Sequence, residues 1–226
     1  MPHKRKDLKI KGPDLWYFVG LITSDGSLSK DGRHINITAK DKEFLGRLKE
    51  RLGLDNKIGI KNRNANNQAY KIEFANRLFY DFLLNIGLLP KKSLTLRSLK
   101  IPKVFFVDFL RGVIDGDGCV RRWKHASNFH EQWALKICSG AGVFIKWLEA
   151  SIEEYLGCKG KIYSELKKGF NNPYYILKYG KIACKEILGS CYYHGAFAMN
   201  RKMKSAISCV TVASGWSKSK TVRGKA

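Results

Sequence analysis

FVGLITSDG, residues Phe18 to Gly26, returns as LRGVIDGDG, residues Leu110 to Gly118. Both stretches read apolar-x-Gly-apolar-Ile-x-small-Asp-Gly, so Asp25 and Asp117 hold the same place in two copies. The repetition extends outward from the motif. INITAKDKEFLGRLKERLGL shares a strand-then-helix hydrophobic pattern with KICSGAGVFIKWLEASIEEYLGC. YKIEFANRLFYDFLLNIG then matches YILKYGKIACKEILGSCY, and LPKKSL matches MNRKMK, which pairs Lys92 with Lys202. A self-similar chain of this kind is one unit written twice, with a homodimer's two-fold symmetry folded into a single polypeptide.

Each copy has the same order of elements. Leu15, Val19 and Ile22 fall at helical spacing after Pro13, as do Phe106, Leu110 and Val113 after Pro102. A hairpin follows, in which Ile35, Ile37 and Ala39 alternate with His34, Asn36 and Thr38 beyond an Asp-Gly turn at Lys30 to Arg33. A helix then carries Phe44, Leu45, Leu48 and Leu52 on one side. In the second strand pair Ile58 and Ile60, then Tyr70, Ile72 and Phe74, are expected to point inward, and a helix around Leu78 to Leu84 closes the unit. The corresponding inward sets of the second copy are Trp133, Leu135 and Ile137, and Tyr175, Leu177 and Tyr179. The stretch Val120 to Glu131 has no counterpart in the short turn of the first copy, so it is an insertion.

The fold class is therefore α+β: two tandem, pseudo-two-fold αββαββα units, each an antiparallel sheet with helices on one face. The expected boundaries are residues 1–100 and 101–210 for the halves, with a basic C-terminal tail over 211–226. That tail, containing GWSKSKTVRGKA, reads as a flexible phosphate-contacting arm or as a disordered end.

Composition restricts the partner. Across 226 residues, 42 Lys+Arg oppose 19 Asp+Glu, a formal charge of +23, while the 44% apolar share is ordinary for a globular chain. A field so positive raises self-repulsion and suits a polyanion. A membrane surface would call for a basic amphipathic helix or a lipidation signal, and neither is present. No apolar run approaches the ~18 residues of a spanning helix, and MPHKRKDLKIKGPD lacks a signal-peptide core, so an intracellular protein is expected. All six cysteines (Cys119, Cys138, Cys158, Cys184, Cys191 and Cys209) lie in the second half without C-x-x-C spacing, and are expected to be small core residues. The histidines (His3, His34, His125, His130 and His194) show no metal or triad spacing.

From about Leu15 to about Ile207 the chain resembles the LAGLIDADG homing endonucleases, in particular their monomeric two-motif type encoded within introns or inteins. The residues make physical sense on that view. Gly20 and Gly112 lack side chains, so two motif helices can pack backbone to backbone. Asp25 and Asp117 then fall at helix C-termini, where the macrodipole disfavours anions, and beside each other, where they repel. Divalent cations relieve such repulsion, and Mg²⁺ favours carboxylate, water and phosphate oxygens. The resemblance implies a Mg²⁺ site, with Mn²⁺ or Ca²⁺ as substitutes, that also uses the carbonyls of Ser24 and Gly116.

The family also places a basic residue near the cleavage site, here Lys92 and Lys202, either acting on the scissile phosphate or merely contacting it. Lys91 and Arg201, one residue earlier, compete for that place. A polar residue that positions water would match Ser139 in one half, but Ala39 in the other cannot serve. The motif's other acid position is Asp115 in the second copy and Thr23 in the first, which makes the halves unequal.

The outward faces of the two sheets together form a saddle able to lie in the major groove of double-stranded DNA. In the first half the expected contacts are Ser27, Ser29, His34, Asn36, Thr38, Lys57, Lys61, Arg63, Gln68, Lys71 and Glu73. In the second they are Arg121, Lys136, Ser139, Lys161, Glu165, Lys167 and Lys178. The implied activity is site-specific double-strand hydrolysis of a long pseudo-palindromic site by a monomer. The alternatives are an RNA-splicing maturase and a non-cleaving DNA-binding regulator on the same fold. An RNA-binding module would show exposed aromatics on the sheet faces, and the aromatics here fall mostly on the buried parity.

Overall fold

The structure, a computed structural model, describes residues 8, 10–62, 68–166, 169 and 171–213. Two of the expected DNA contacts, Arg63 and Lys167, and the tail beyond residue 213 lie outside the described residues.

Helix α1 (Gly12–Asp25) starts with Pro13 in its first turn, and its residues Trp16 to Thr23 are buried without a break. Burial all round marks a central helix, whereas the spacing of Leu15, Val19 and Ile22 had suggested one apolar face. The chain then runs directly into β1 (Gly26–Leu28), turns at Gly32 with φ +76, and returns as β2 (His34–Ala39). Helix α2 (Lys42–Leu52) buries Phe44, Leu45, Leu48 and Leu52 as expected. The Asp41 carboxylate accepts from Phe44 N at its start, and a left-handed Gly53 ends it. Strands β3 (Gly59–Asn62) and β4 (Ala69–Ala75) follow, then α3 (Arg77–Asn85), capped by Asn76, and the short α4 (Lys92–Thr95).

The second half opens with a 3₁₀ turn at Lys103–Phe105 and α5 (Phe106–Asp117). Strands β5 (Gly118–Lys124) and β6 (Glu131–Ser139), helix α6 (Gly142–Leu156), strands β7 (Lys161–Glu165) and β8 (Tyr174–Tyr179), and helices α7 (Lys181–Cys191) and α8 (Asn200–Ala213) complete it.

The two sheets have one topology, β1-β2-β4-β3 and β5-β6-β8-β7, antiparallel throughout. Their registers place Ile35 and Ile37 opposite Phe74 and Ile72, and Leu135 and Ile137 opposite Tyr179 and Leu177, on the helix-covered faces. The expected αββαββα order is present in each half, with α4 and α8 as additions that the periodicity did not announce. Helix α8 runs to Ala213, three residues into the stretch assigned to the tail.

Other differences have simple causes. Ile60 pairs with Tyr70 and so has inward parity, yet it is 48% exposed, because β3 is an edge strand with a register irregularity at the margin of the helix cover. The inserted stretch is strand at both ends and turn only over residues 125–130. Val120 to Lys124 continue β5 and pair with Leu135 to Glu131, so the second hairpin is a longer version of the first. Cys119 is exposed and Cys138 half-buried, because both stand on the open face of that hairpin; the other four cysteines are buried, and all six are free thiols. No described helix is long and apolar enough to cross a membrane.

Helices α1 and α5 meet along the pseudo-two-fold axis. A Cβ placed on Gly20 would stand 2.0 Å from the Phe109 carbonyl oxygen, and one on Gly112 would stand 2.1 Å from that of Tyr17. Real carbon atoms do not approach so closely, so each backbone occupies the space of the other's missing side chain. Gly20→Ala and Gly112→Ala should each lower unfolding stability by about 1–3 kcal/mol or more in urea titrations. Gly46→Ala, in the middle of α2 with open space around it, should raise it by about 0.5–1 kcal/mol.

Candidate functional site

The two central helices end at Asp25 and Asp117, and each passes straight into a strand through a glycine with extended backbone, φ −95 at Gly26 and −78 at Gly118. Neither is a left-handed helix cap. Glycine is needed there for space: a Cβ on Gly26 would stand 2.7 Å from Ile22 Cα, and one on Gly118 2.4 Å from the Ile114 carbonyl oxygen. The helix-to-strand passage is therefore tight, and it brings the acids to the seam. A Cβ on Gly116 would stand 3.1 Å from Asp25 Oδ2, so the first acid lies against the peptide that precedes the second.

The charges at the seam are only partly compensated. Asp117 is pushed up to about 6, first because protein atoms replace water around it and then because Asp25 repels it; Lys92 and Lys202 pull the other way. Its side toward solvent remains open. Asp25 is also raised, again chiefly by loss of water. Lys92 and Lys202 are buried and are held below their ordinary value by that burial, with the carboxylates opposing the shift.

The two lysines do the same thing in each half. Lys92 Nζ donates to the Gly26 carbonyl at 2.6 Å, and Lys202 Nζ donates to the Gly118 carbonyl. Each ammonium thus fastens the residue that follows an acid of the pair. The rivals Lys91 and Arg201 are exposed; Lys91 occupies a left-handed position (φ 57) before α4, which turns the chain so that Lys92 faces inward. The pairing of Lys92 with Lys202 read from the repeat is therefore a geometric equivalence.

A cavity of about 410 Å³ opens beside these groups. It is lined from the first half by Thr23, Ser24, Lys92, Ser93 and Leu96, and from the second by Asp117, Cys138, Ser139, Gly140 and Tyr174. The cavity is composite because α4 crosses the seam: a Cβ on Gly140 would stand 2.9 Å from the Ser93 carbonyl oxygen. Ser24 lines it, with its hydroxyl bonded to the carbonyl of Leu21 at 3.1 Å. Among the described residues no cluster of three or more His, Cys, Asp and Glu could hold a metal ion. Two carboxylates at an oxygen-lined seam suit a hard cation that keeps water and phosphate among its ligands.

Thr23 borders the cavity but its hydroxyl is turned into its own helix, and Asp115 faces away from the seam. Thr23 is buried and donates to Val19 O at 2.8 Å, and Asp115 is buried with three hydrogen-bond donors. The water-positioning match also shifts by one residue. Gly26 pairs with Ile37 and Gly118 with Ile137, so Thr38 and Cys138 hold the outer-face positions beside the acids. Ala39 is buried, and Ser139 sits at the end of β6 with its hydroxyl accepting from Ala141 N at 3.1 Å. The alternation of the hairpin itself puts Thr38 and Cys138, one residue before Ala39 and Ser139, on the outer face.

The register brings most of the expected contacts onto two open faces. On the first, Ser27, Asn36 and Glu73 stand in one cross-strand row and Thr38 and Lys71 in another. Asn36 donates to Ser27 at 2.8 Å and Lys61 to Thr38 at 3.3 Å. His34 lies at the edge of that face, paired with Asp31, while Ser29, Lys57 and Gln68 flank the strands. On the second face Lys136, Lys178 and Lys161 stand directly across three neighbouring strands, a row of like charges that costs stability. Arg121 and Glu165 stand on the same face. The aromatic expectation fails there: Trp123 and Tyr163 are 44% and 45% exposed on the outer parity. Trp123 belongs to the inserted length of β5, whose parity the sequence left undefined.

Comparison with known proteins places this geometry in a class. Residues 12–87 match the model of the LAGLIDADG-like domain. The chain as a whole has the two-motif LAGLIDADG fold. It is similar to the homing endonuclease I-GzeII in complex with its DNA target, with 12% identity, TM-score 0.60, and 94% of each chain covered. It is similar to I-DmoI in complex with DNA and Ca, with 14% identity, TM-score 0.58, and 87% of this chain and 97% of that one covered. It is also similar to the full-length DUF199/WhiA protein of Thermatoga maritima, with 16% identity and TM-score 0.55, where 97% of this chain spans 65% of that one. No curated protein matches by sequence.

The raised value of Asp117 carries a stability consequence. A carboxyl that binds its proton more tightly when folded than when unfolded (about 3.9) favours the folded state at low pH and opposes it above about 6. In metal-free protein, Asp117→Asn should raise the melting temperature at pH 7.5, and the gain should vanish near pH 4. Scanning calorimetry at the two pH values checks this.

Proposed function

We propose that the chain is a site-specific, divalent-metal-dependent DNA endonuclease of the homing class, acting inside the cell as a monomer and cutting both strands of a long pseudo-palindromic site. The observation that carries the proposal is the only partly compensated acid pair, Asp25 and Asp117, held at a seam between two open sheet faces. A protein that only binds DNA gains nothing from placing two repelling carboxylates where a phosphate backbone would lie.

Asp25 and Asp117, with the carbonyls of Ser24 and Gly116, would hold Mg²⁺, or Mn²⁺ or Ca²⁺ in its place. A divalent ion there supplies Lewis acidity and a source of hydroxide near neutral pH. The residues of the chain do the rest. Lys92 and Lys202 keep the strand that follows each acid in place and set positive charge where negative charge develops on a phosphate. Thr38 and Cys138 border the reacting groups from the sheet side. The row Lys136, Lys178 and Lys161 is relieved of its mutual repulsion by phosphates, and the polar positions Ser27, Asn36, Thr38, Lys71 and Glu73 offer donors and acceptors to base edges. Ser29, His34, Lys57, Lys61, Gln68, Arg121, Ser139, Lys161 and Glu165 would fill out the contact surface.

A second reading, RNA-splicing activity, is favoured by one observation: the exposed rings of Trp123 and Tyr163 offer stacking surfaces to unpaired bases. It needs neither acid. Selection of cleaved sites from a randomised DNA library with Mg²⁺ separates the two, because only the nuclease enriches a defined sequence.

On a site so identified, Asp25→Asn and Asp117→Asn should each reduce double-strand cleavage on the order of 10³-fold or more, with DNA affinity nearly unchanged. Full cleavage by either variant would refute the proposal. Affinity should fall on the order of 10³-fold between about 50 and about 200 mM salt. Fluorescence anisotropy measures it, and a flat response would argue against a phosphate-bound complex.

A further inference from the structure

The second motif helix carries three charged side chains that the first lacks. Asp108, Arg111 and Asp115 stand where the first copy has Trp16, Val19 and Thr23. All three are buried, and all point at the segment that joins α7 to α8. Arg111 donates to the carbonyls of Cys191 at 2.9 Å and Phe197 at 3.0 Å, and pairs with Asp108 at 2.8 Å. Asp108 also accepts from the Tyr193 hydroxyl at 2.7 Å.

Asp115 closes a ring around the acid. Its Oδ1 accepts from Tyr192 and its Oδ2 from Tyr17 and from the backbone N–H of Met199, each at 2.7 Å. Met199 immediately precedes α8, and its carbonyl accepts from Lys202 N at 3.0 Å. Lys202 then reaches back to the Gly118 carbonyl. Starting two residues before Asp117, the chain of bonds passes through the first turn of α8 and ends one residue after it. Among the described residues the first copy has no such ring. Thr23 bonds within its own helix, and the approach to Lys92 is set by backbone turns around Gly87 (φ +99) and by buried Leu88.

We propose that Asp115, supported by Tyr192, is a positioning residue that aims Lys202 at the Asp117 side of the seam, so that cleavage of one DNA strand depends on a buried carboxylate and cleavage of the other does not. The inference rests on the nuclease reading for its catalytic half only. Removing the acceptor of the Met199 N–H unpins the start of α8, and Lys202 moves with it. A misplacement of about 1 Å in a reacting group costs up to about a hundredfold in rate.

Two measurements test it together. The first is competitive acetylation of lysines in DNA-free protein, read by mass spectrometry. In Asp115→Thr, which copies the first motif, Lys202 should label several-fold faster than in the unaltered protein while Lys92 is unchanged. Asp115→Asn should restore slow labelling, since its amide oxygen still accepts from Met199. Tyr192→Phe removes only the hydroxyl that donates to Asp115 while keeping the buried aromatic side chain, and should show the same effect in smaller measure, should Asp115→Thr fail to fold.

The second measurement is strand-resolved nicking of a selected DNA site. One strand should slow on the order of tenfold or more, and nicked product should accumulate. Equal labelling of Lys92 and Lys202, or equal slowing of both strands, overturns the proposal. Selective labelling of Lys202 in a protein that cuts no DNA at all would uphold the positioning and remove the nuclease reading instead.

Discussion

Backbone-to-backbone contact between α1 and α5 is the constraint on which the rest of the molecule depends. With Gly20 and Gly112 facing the opposite helix, the two motif helices approach more closely than any pair with side chains could. That proximity buries Trp16 to Thr23 on all sides and makes two half-sized sheets share one core. It also fixes the place of Asp25 and Asp117, because each is the last residue of its helix. The same contact that stabilises the fold therefore forces two carboxylates together, and loss of water, followed by repulsion from Asp25, raises Asp117. Close packing and charge repulsion pull in opposite directions at one seam.

Around that seam the two copies keep the groups that touch the acids and vary those that support them. Lys92 and Lys202 bond equivalent glycine carbonyls, although the segments leading to them differ in length and in chemistry. The first copy positions its lysine by turns and apolar packing, the second by buried ions and tyrosine hydroxyls. A duplicated unit is free to diverge in this way wherever the geometry at the axis is preserved. The open faces have diverged too, with a polar row on one sheet and a lysine row with exposed rings on the other. The pseudo-symmetric scaffold therefore carries two chemically unequal faces.

The amino-acid sequence alone settled the repeat, the α+β order of each half, the two acids and their lysine partners, since each of these is a local pattern present twice. Alternation in His34 to Ala39 and helical spacing in Lys42 to Leu52 reproduce the observed burial, because one side of each element is solvated. Tertiary structure decided what lies beyond a single element. Ile60 has inward parity but no helix above it; Val120 to Lys124 extend a ladder because a partner strand is there to receive them. Nothing local to the helix says what Asp108, Arg111 and Asp115 meet, and in the fold they are buried against residues some eighty positions away. Burial is a property of what covers a residue, and for a helix at the molecular axis the cover comes from the far end of the chain.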